Sequence, residues 1–339
     1  MLLMDIATVK ARVAAMLEER ARLNADRPSS LWSDSCSAFD YMLGMPDQAF
    51  AKLRLHTYHL SGDNYQHYIF HEGDAKLWET WGGLTAGVPG TYVLSEPTGA
   101  IQGIGFESPD GRRVSQDLLR FQEVVTTLWR ESVLAELPAG SAVLEIGGGY
   151  GGLAHHLSRM IAPRTYVIVD LPEVLLFSGA YLSLLNPGKH VAIYDANHPE
   201  LALDGDFVLL PNYRLPLLKS RRFDLVLNVA SMQEMRTDQV EDYLAFIAET
   251  CRGVFYCHNL DRLPQNVELS SLVDLLRVYL DVREIKRPVA RRRRLRATLK
   301  SFAASVGLAD RPVNRPPYRT FLCRSRRHGE HGRSQQPNQ

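Results

Sequence analysis

Glu145-Ile146-Gly147-Gly148-Gly149-Tyr150-Gly151-Gly152 is the stretch on which the reading of this 339-residue chain turns. Ahead of it, Ala142 to Ile146 (AVLEI) is apolar apart from one acid, the pattern of a strand covered on both faces. Behind it, Leu153, Ala154, Leu157, Met160 and Ile161 recur at the three-to-four spacing of one helix face. Glycines between a strand and a helix let the backbone turn sharply and approach a ligand without Cβ clashes. No Lys-Ser/Thr pair follows them, so the stretch is not the phosphate-binding loop of a nucleotide hydrolase.

Outward from this loop the chain alternates strands and helices. Thr165 to Asp170 (TYVIVD) reads as a strand, and Pro172 to Leu185 as a helix ended by Asn186-Pro187-Gly188. Two short β-like runs follow at His190 to Tyr194 and Phe207 to Leu210, then strand Phe223 to Ala230, helix Asp238 to Thr250 and strand Gly253 to His258. Continuous apolar strands spaced by helices predict an α/β fold, Rossmann-like, with a mostly parallel sheet covered on both sides. Tyr318 to Cys323 (YRTFLC) is one more strand, reached after a long helical stretch. Upstream, Ser115 to Leu137 predicts a single helix, and Ile6, Val9, Val13, Met16, Leu17 and Leu23 predict an amphipathic one near the start. Between them, GDNYQHYIFHEGD and TWGGLTAGVPG read as turns in an aromatic-rich segment. This divides the chain into an N-terminal helical region (1–114), a cofactor-binding domain (115–327) and a polar, disordered tail (328–339).

The loop fits two cofactors. Gly147-x-Gly149-x-x-Gly152 matches a dinucleotide fingerprint, while Glu145-x-Gly147-x-Gly149-x-Gly151 matches the acidic-x-GxGxG pattern of S-adenosylmethionine enzymes. Asp170 suits either, since a carboxylate at that strand end accepts hydrogen bonds from ribose hydroxyls. No tyrosine is followed by lysine in a YxxxK relay, and the loop lies some 140 residues into the chain with about five strands after it. Both points favour S-adenosylmethionine over an NAD-dependent oxidoreductase.

The segments VLEIGGGYGGLAHHL, YVIVDLPEVLLFSGAYL and FDLVLNVASMQEM together resemble the sugar O-methyltransferase family of bacterial polysaccharide and glycan clusters. The Asp-Leu-Pro after the second strand is also similar to that of small-molecule O-methyltransferases, so a non-sugar acceptor stays open. The resemblance is strongest from Ala142 to His258. It implies a class I methyltransferase fold with a seven-stranded sheet whose last strand, here Tyr318 to Cys323, is antiparallel. It also implies methyl transfer from S-adenosylmethionine to a sugar hydroxyl in glycan, polysaccharide or glycosylated natural-product biosynthesis.

A sugar hydroxyl is a poor acid, so a general base is expected near the carboxyl ends of the strands. Glu234, in SMQEM directly after FDLVLNVA, and His258, ending GVFYCH, are the two candidates. Glu234 could instead cap or pair near the following helix, and His258 could be a strand-end histidine bonded to backbone. The expected cofactor cradle comprises Glu145, Gly147, Gly148, Gly149, Gly151, Asp170 and Leu171, with Asp195 toward the adenine amino group. Asp195 reads equally as a turn residue. Asn228 and Ser231 fall near the methionine end or the acceptor, though a buried Asn bonded to backbone fits as well. Ser231, Gln233, Tyr65 and His67 are the expected acceptor contacts, the last two in an aromatic stretch that could lid the site. No metal is expected, because the histidines of that stretch are irregularly spaced and lack a carboxylate pair.

The net charge of +1 is unevenly spread: from Arg283 onward sixteen Lys/Arg face three acids, with Arg291 to Arg294 densest. Without interleaved aromatics this does not read as nucleic-acid recognition. It suits a solvated helix face or an anionic partner, including peripheral contact with a membrane surface. Cys36, Cys251, Cys257 and Cys323 lack metal spacing and read as reduced, buried thiols. No run approaches a membrane span or a signal sequence, so a cytoplasmic protein is expected; a homo-oligomer stays open.

Overall fold

A computed structural model describes residues 5–24, 28–37, 39–60, 75–108, 110–199, 204–285 and 317–326. A two-stranded ribbon, β1 (Phe106–Glu107) and β2 (Arg113–Val114), precedes the main sheet. The sheet contains β3 (Ala142–Ile146), β4 (Thr165–Asp170), β5 (Val191–Ile193), β6 (Phe207–Pro211), β7 (Phe223–Val229), β8 (Cys251–Asn259), β9 (Leu280–Ile285) and β10 (Arg319–Ser325). Their spatial order is β5-β6-β4-β3-β7-β8-β10-β9, eight strands in all. From β5 to β8 every pairing is parallel; β10 alone runs against its two neighbours.

The sheet corrects the seven-stranded expectation. Leu280–Ile285 (LDVREI) adds an edge strand where the sequence suggests helix, because Asp281, Arg283 and Glu284 mask the apolar pattern of a strand with one neighbour. The Rossmann-like, mostly parallel architecture itself is as expected. β3 and β6 are buried along their whole length, which explains their unbroken apolar character.

Two helices also differ from expectation. The predicted Ser115–Leu137 helix ends at Arg130; Ser132 takes a left-handed φ of 60°, and a short helix restarts at Val133. Neither Gly nor Pro marks that break. TWGG is not a turn but lies within helix Ala75–Thr85, which packs against helix Gln116–Arg130 and buries Leu77 and Trp81. Burial of those side chains outweighs the two glycines' low helix propensity.

The order of strands reverses beside β3, since the chain moves from β3 to β4 and later returns to β7 on the other flank. Crevices for ligands open at such reversals, outside the carboxyl ends of the strands. The N-terminal helix Ile6–Leu23 packs on helix Pro172–Leu185 and shares its core. Arg20 pairs with Glu173, and Arg214 and Tyr213 hold the buried Glu19. The four cysteines are buried free thiols, and burial pushes Cys36, Cys251 and Cys257 up to about 12. No helix of the described residues is long and apolar enough to cross a membrane. Arg291 to Arg294 and 328–339 lie outside the described residues.

Candidate active site

β3 ends by delivering its backbone into the glycine loop. The Gly147 amide donates to Val169 O at 2.8 Å, extending the ladder to β4 by one step. Gly147 then takes φ +74° and Gly149 φ +56°, a region L side chains rarely adopt. A Cβ on Gly147 would strike the Ser231 side chain, so this position is closed from below. A Cβ on Gly149 would meet nothing within 4 Å and would project into open space.

That space is a crevice enclosing about 1080 Å³, a volume that includes its opening to solvent. Asp170 stands at its edge. Its Oδ2 accepts from the Gly149 amide at 2.9 Å and its Oδ1 from the Leu171 amide at 2.8 Å, so the carboxylate fixes the loop's shape. Each oxygen keeps lone-pair capacity for a further donor. Burial raises Asp170 to about 7 against the lowering pull of those two amides. Glu145, 3% exposed, accepts from Tyr166 Oη at 2.8 Å, and burial pushes it up to about 8. Gly147, Gly148, Gly149, Leu171 and Asn212 line the same space. Gly151, at φ +84°, is packed against Leu182 and starts the following helix.

The opposite wall comes from the end of β7. Asn228 is fully buried and saturated by the protein: its Nδ2 donates to Ile146 O at 2.8 Å and its Oδ1 accepts from Asn259 Nδ2 at 2.8 Å. It braces the glycine loop and Ser231 from behind, which is the second of its two expected readings. Ala230 turns with φ +57° and presents Ser231 and Glu234 to the crevice. Glu234 Oε2 accepts from Trp32 Nε1 at 2.9 Å. Burial raises Glu234 to about 7, opposed by the Trp32 hydrogen bond and by the charge of Arg120.

The other expected residues lie elsewhere. His258 is 2% exposed and outside the crevice lining; its Nδ1 meets Thr320 Oγ1 at 2.9 Å and its ring stacks on Tyr318 at 5.0 Å. Gln233 is buried behind Glu234, with Nε2 donating to Tyr318 Oη at 3.2 Å and Oε1 accepting from Leu260 N at 2.8 Å. Asp195 is paired with Arg12 and accepts from Asn197 N at 3.0 Å, a turn role away from the crevice lining. At the end of β6, Asn212 lines the crevice instead. Tyr65 and His67 fall outside the described residues.

The N-terminal segments contribute more than expected. Trp32 supplies the donor to Glu234, and Ser29 Oγ donates to the Glu234 carbonyl at 2.5 Å. Beneath the crevice, Arg54 is 1% exposed and bonds Asp117 Oδ2 at 3.1 Å and Glu96 Oε1 at 2.9 Å. Its guanidinium lies 4.1 Å from the centre of the Tyr150 ring, tying residues 54, 96 and 117 to the glycine loop. The only sequence signal for these contacts is residue type, a Trp among serines (SSLWSDS) and an Arg between two leucines (KLRLH). Among the described residues no group of three or more His, Cys, Asp or Glu could hold a metal ion.

No family model matches the chain, and no curated protein matches it. Solved structures do. One is an O-methyltransferase family protein from Burkholderia thailandensis, 12% identical over 62% of this chain with a TM-score of 0.35. The match spans 60% of that protein's length. A TehB-like SAM-dependent methyltransferase from Corynebacterium glutamicum is 14% identical over 60% of this chain and 97% of its own, TM-score 0.34. Human N-acetylserotonin methyltransferase in complex with SAM is 16% identical over 61% of this chain and 56% of its own, TM-score 0.33.

Proposed function

We propose that this chain is an S-adenosylmethionine-dependent O-methyltransferase acting on a sugar hydroxyl. The observation that carries the reading is one crevice holding both a glycine loop clamped by Asp170 and a carboxylate, Glu234, raised to about 7. A base in that range is matched to proton removal near neutral pH. The open space over Gly149 and the spare lone pairs of Asp170 fit an adenosyl group lying against the loop.

When bound, S-adenosylmethionine supplies an electrophilic methyl whose bond to sulfur breaks as the new C–O bond forms, leaving a neutral thioether. The protein does the rest. Gly147, Gly148, Gly149 and Asp170 hold the cofactor, with Glu145 and Leu171 flanking them. Glu234 accepts the hydroxyl proton at Oε1 or Oε2, and Trp32 keeps that carboxylate oriented toward the crevice. Ser231 lies on the acceptor side of Gly147. His258, turned into its contacts with Thr320 and Tyr318, positions the wall behind Glu234 instead of acting as base. The sugar acceptor rests on the motif resemblance over residues 142–258.

The test is mass spectrometry of glycans from cells with and without the protein. A loss of one methylene mass per missing methyl on a sugar residue is expected. Unchanged glycans together with a changed phenolic or other small molecule would move the acceptor to the non-sugar class.

A further inference from the structure

Arg120 is the only Lys or Arg among the described residues lining the crevice, where Asp117, Glu145, Asp170 and Glu234 also stand. It lies on helix Gln116–Arg130, and its guanidinium sits 5.9 Å from the centre of the Tyr318 ring. Tyr318 is held in turn by Gln233 and by the stacked His258 ring, so the platform under Arg120 is fixed. The Arg120 guanidinium makes no hydrogen bond or ion pair to any described residue. Its field favours the ionised form of Glu234, yet the two are not in ion-pair contact.

A half-buried guanidinium carries five donors and needs acceptors to replace lost water. Carboxylate and phosphate groups match its planar fork with two parallel hydrogen bonds. Its location says which ligand brings the anion. Arg120, Tyr318 and Glu234 occupy the β7–β8–β10 side, whereas Asp170, Leu171 and Asn212 close the ends of β4 and β6 on the other side.

Resting on the methyl-transfer reading above, we propose that the acceptor sugar is acidic, bearing a carboxylate or a phosphate that Arg120 grips while its hydroxyl faces Glu234. The two sources share one chemistry, an oxyanion on the sugar. Such a contact would set the hydroxyl's orientation as well as affinity.

The full chain saturated with S-adenosylhomocysteine is titrated calorimetrically with glucuronate, glucose 1-phosphate and glucose. At least one anionic sugar is expected to bind about tenfold or more tighter than glucose, and which one does so separates carboxylate from phosphate. Arg120→Gln should abolish that preference and leave S-adenosylhomocysteine affinity within about twofold, while Arg120→Lys should keep part of it. Equal binding of all three sugars, no binding by either anion, or a loss of S-adenosylhomocysteine affinity in Arg120→Gln would overturn the proposal. Failure of S-adenosylhomocysteine to bind the unaltered chain would instead sink the methyl-transfer reading itself.

Discussion

The two sides of the crevice are built by different means. On the β4–β6 side the polar groups come from the strand ends and the loops that follow them, and they are held by backbone amides: Asp170 accepts from Gly149 and Leu171, only 21 residues and one residue away. On the β7 side Glu234 is held by Trp32, 202 residues away in sequence. A nucleotide-like ligand needs the same backbone cradle in many proteins, so its side can be local. Under the proposed reading an acceptor site is shaped individually, and the contacts that hold Glu234 come from Ser29 and Trp32 in the N-terminal segments.

That contrast predicts variants that separate binding from turnover. Glu234→Gln should cost the most in rate, about 10²- to 10⁴-fold in kcat, with cofactor affinity unchanged; steady-state kinetics beside a binding titration will show it. If the rate survives there and falls in His258→Ala, the base has been misassigned. Arg54→Met leaves Glu96 and Asp117 facing each other without their cation, so a loss of roughly 3–5 kcal/mol in unfolding free energy is expected by denaturant titration. Asp170→Asn should weaken S-adenosylhomocysteine binding by about 1.5–3 kcal/mol while sparing kcat at saturation.

The smallest effect is a pH shift. Glu234 must be ionised to take a proton, so kcat should rise with pH through about 7 and level off above it. Trp32 donates to the charged carboxylate and lowers its pKa. Trp32→Phe should therefore move the rising limb to higher pH by up to about one unit, reducing the rate at neutral pH and restoring it in alkaline buffer. A limb that moves down, or stays put, would remove Trp32 from the account.

The same contrast decides what could be read from sequence. The apolar strands β3, β4, β6 and β7 and the glycine loop are local patterns, and each reads correctly from a few consecutive residues. β9 does not, because an edge strand with three charged residues resembles a solvated helix face. The break at Ser132 and helix Ala75–Thr85 are set by packing against distant segments. Glu234 is visible as a carboxylate after a strand end, but nothing local distinguishes it from His258; the difference is that Thr320 and Tyr318 occupy the histidine. Arg54 and Trp32 gain their roles only from contacts across tens to hundreds of residues.

Everything on both sides presupposes that the glycine loop accepts an adenosyl group. Calorimetric titration of the full chain with S-adenosylmethionine, beside Gly149→Leu and a control titration with reduced nicotinamide dinucleotide, tests this directly. The side chain in Gly149→Leu would fill the open space above the loop, at about 1–2 kcal/mol of backbone strain. The account predicts binding of S-adenosylmethionine to the unaltered chain, its loss in the variant, and no binding of the dinucleotide. Dinucleotide binding with no response to S-adenosylmethionine would contradict it.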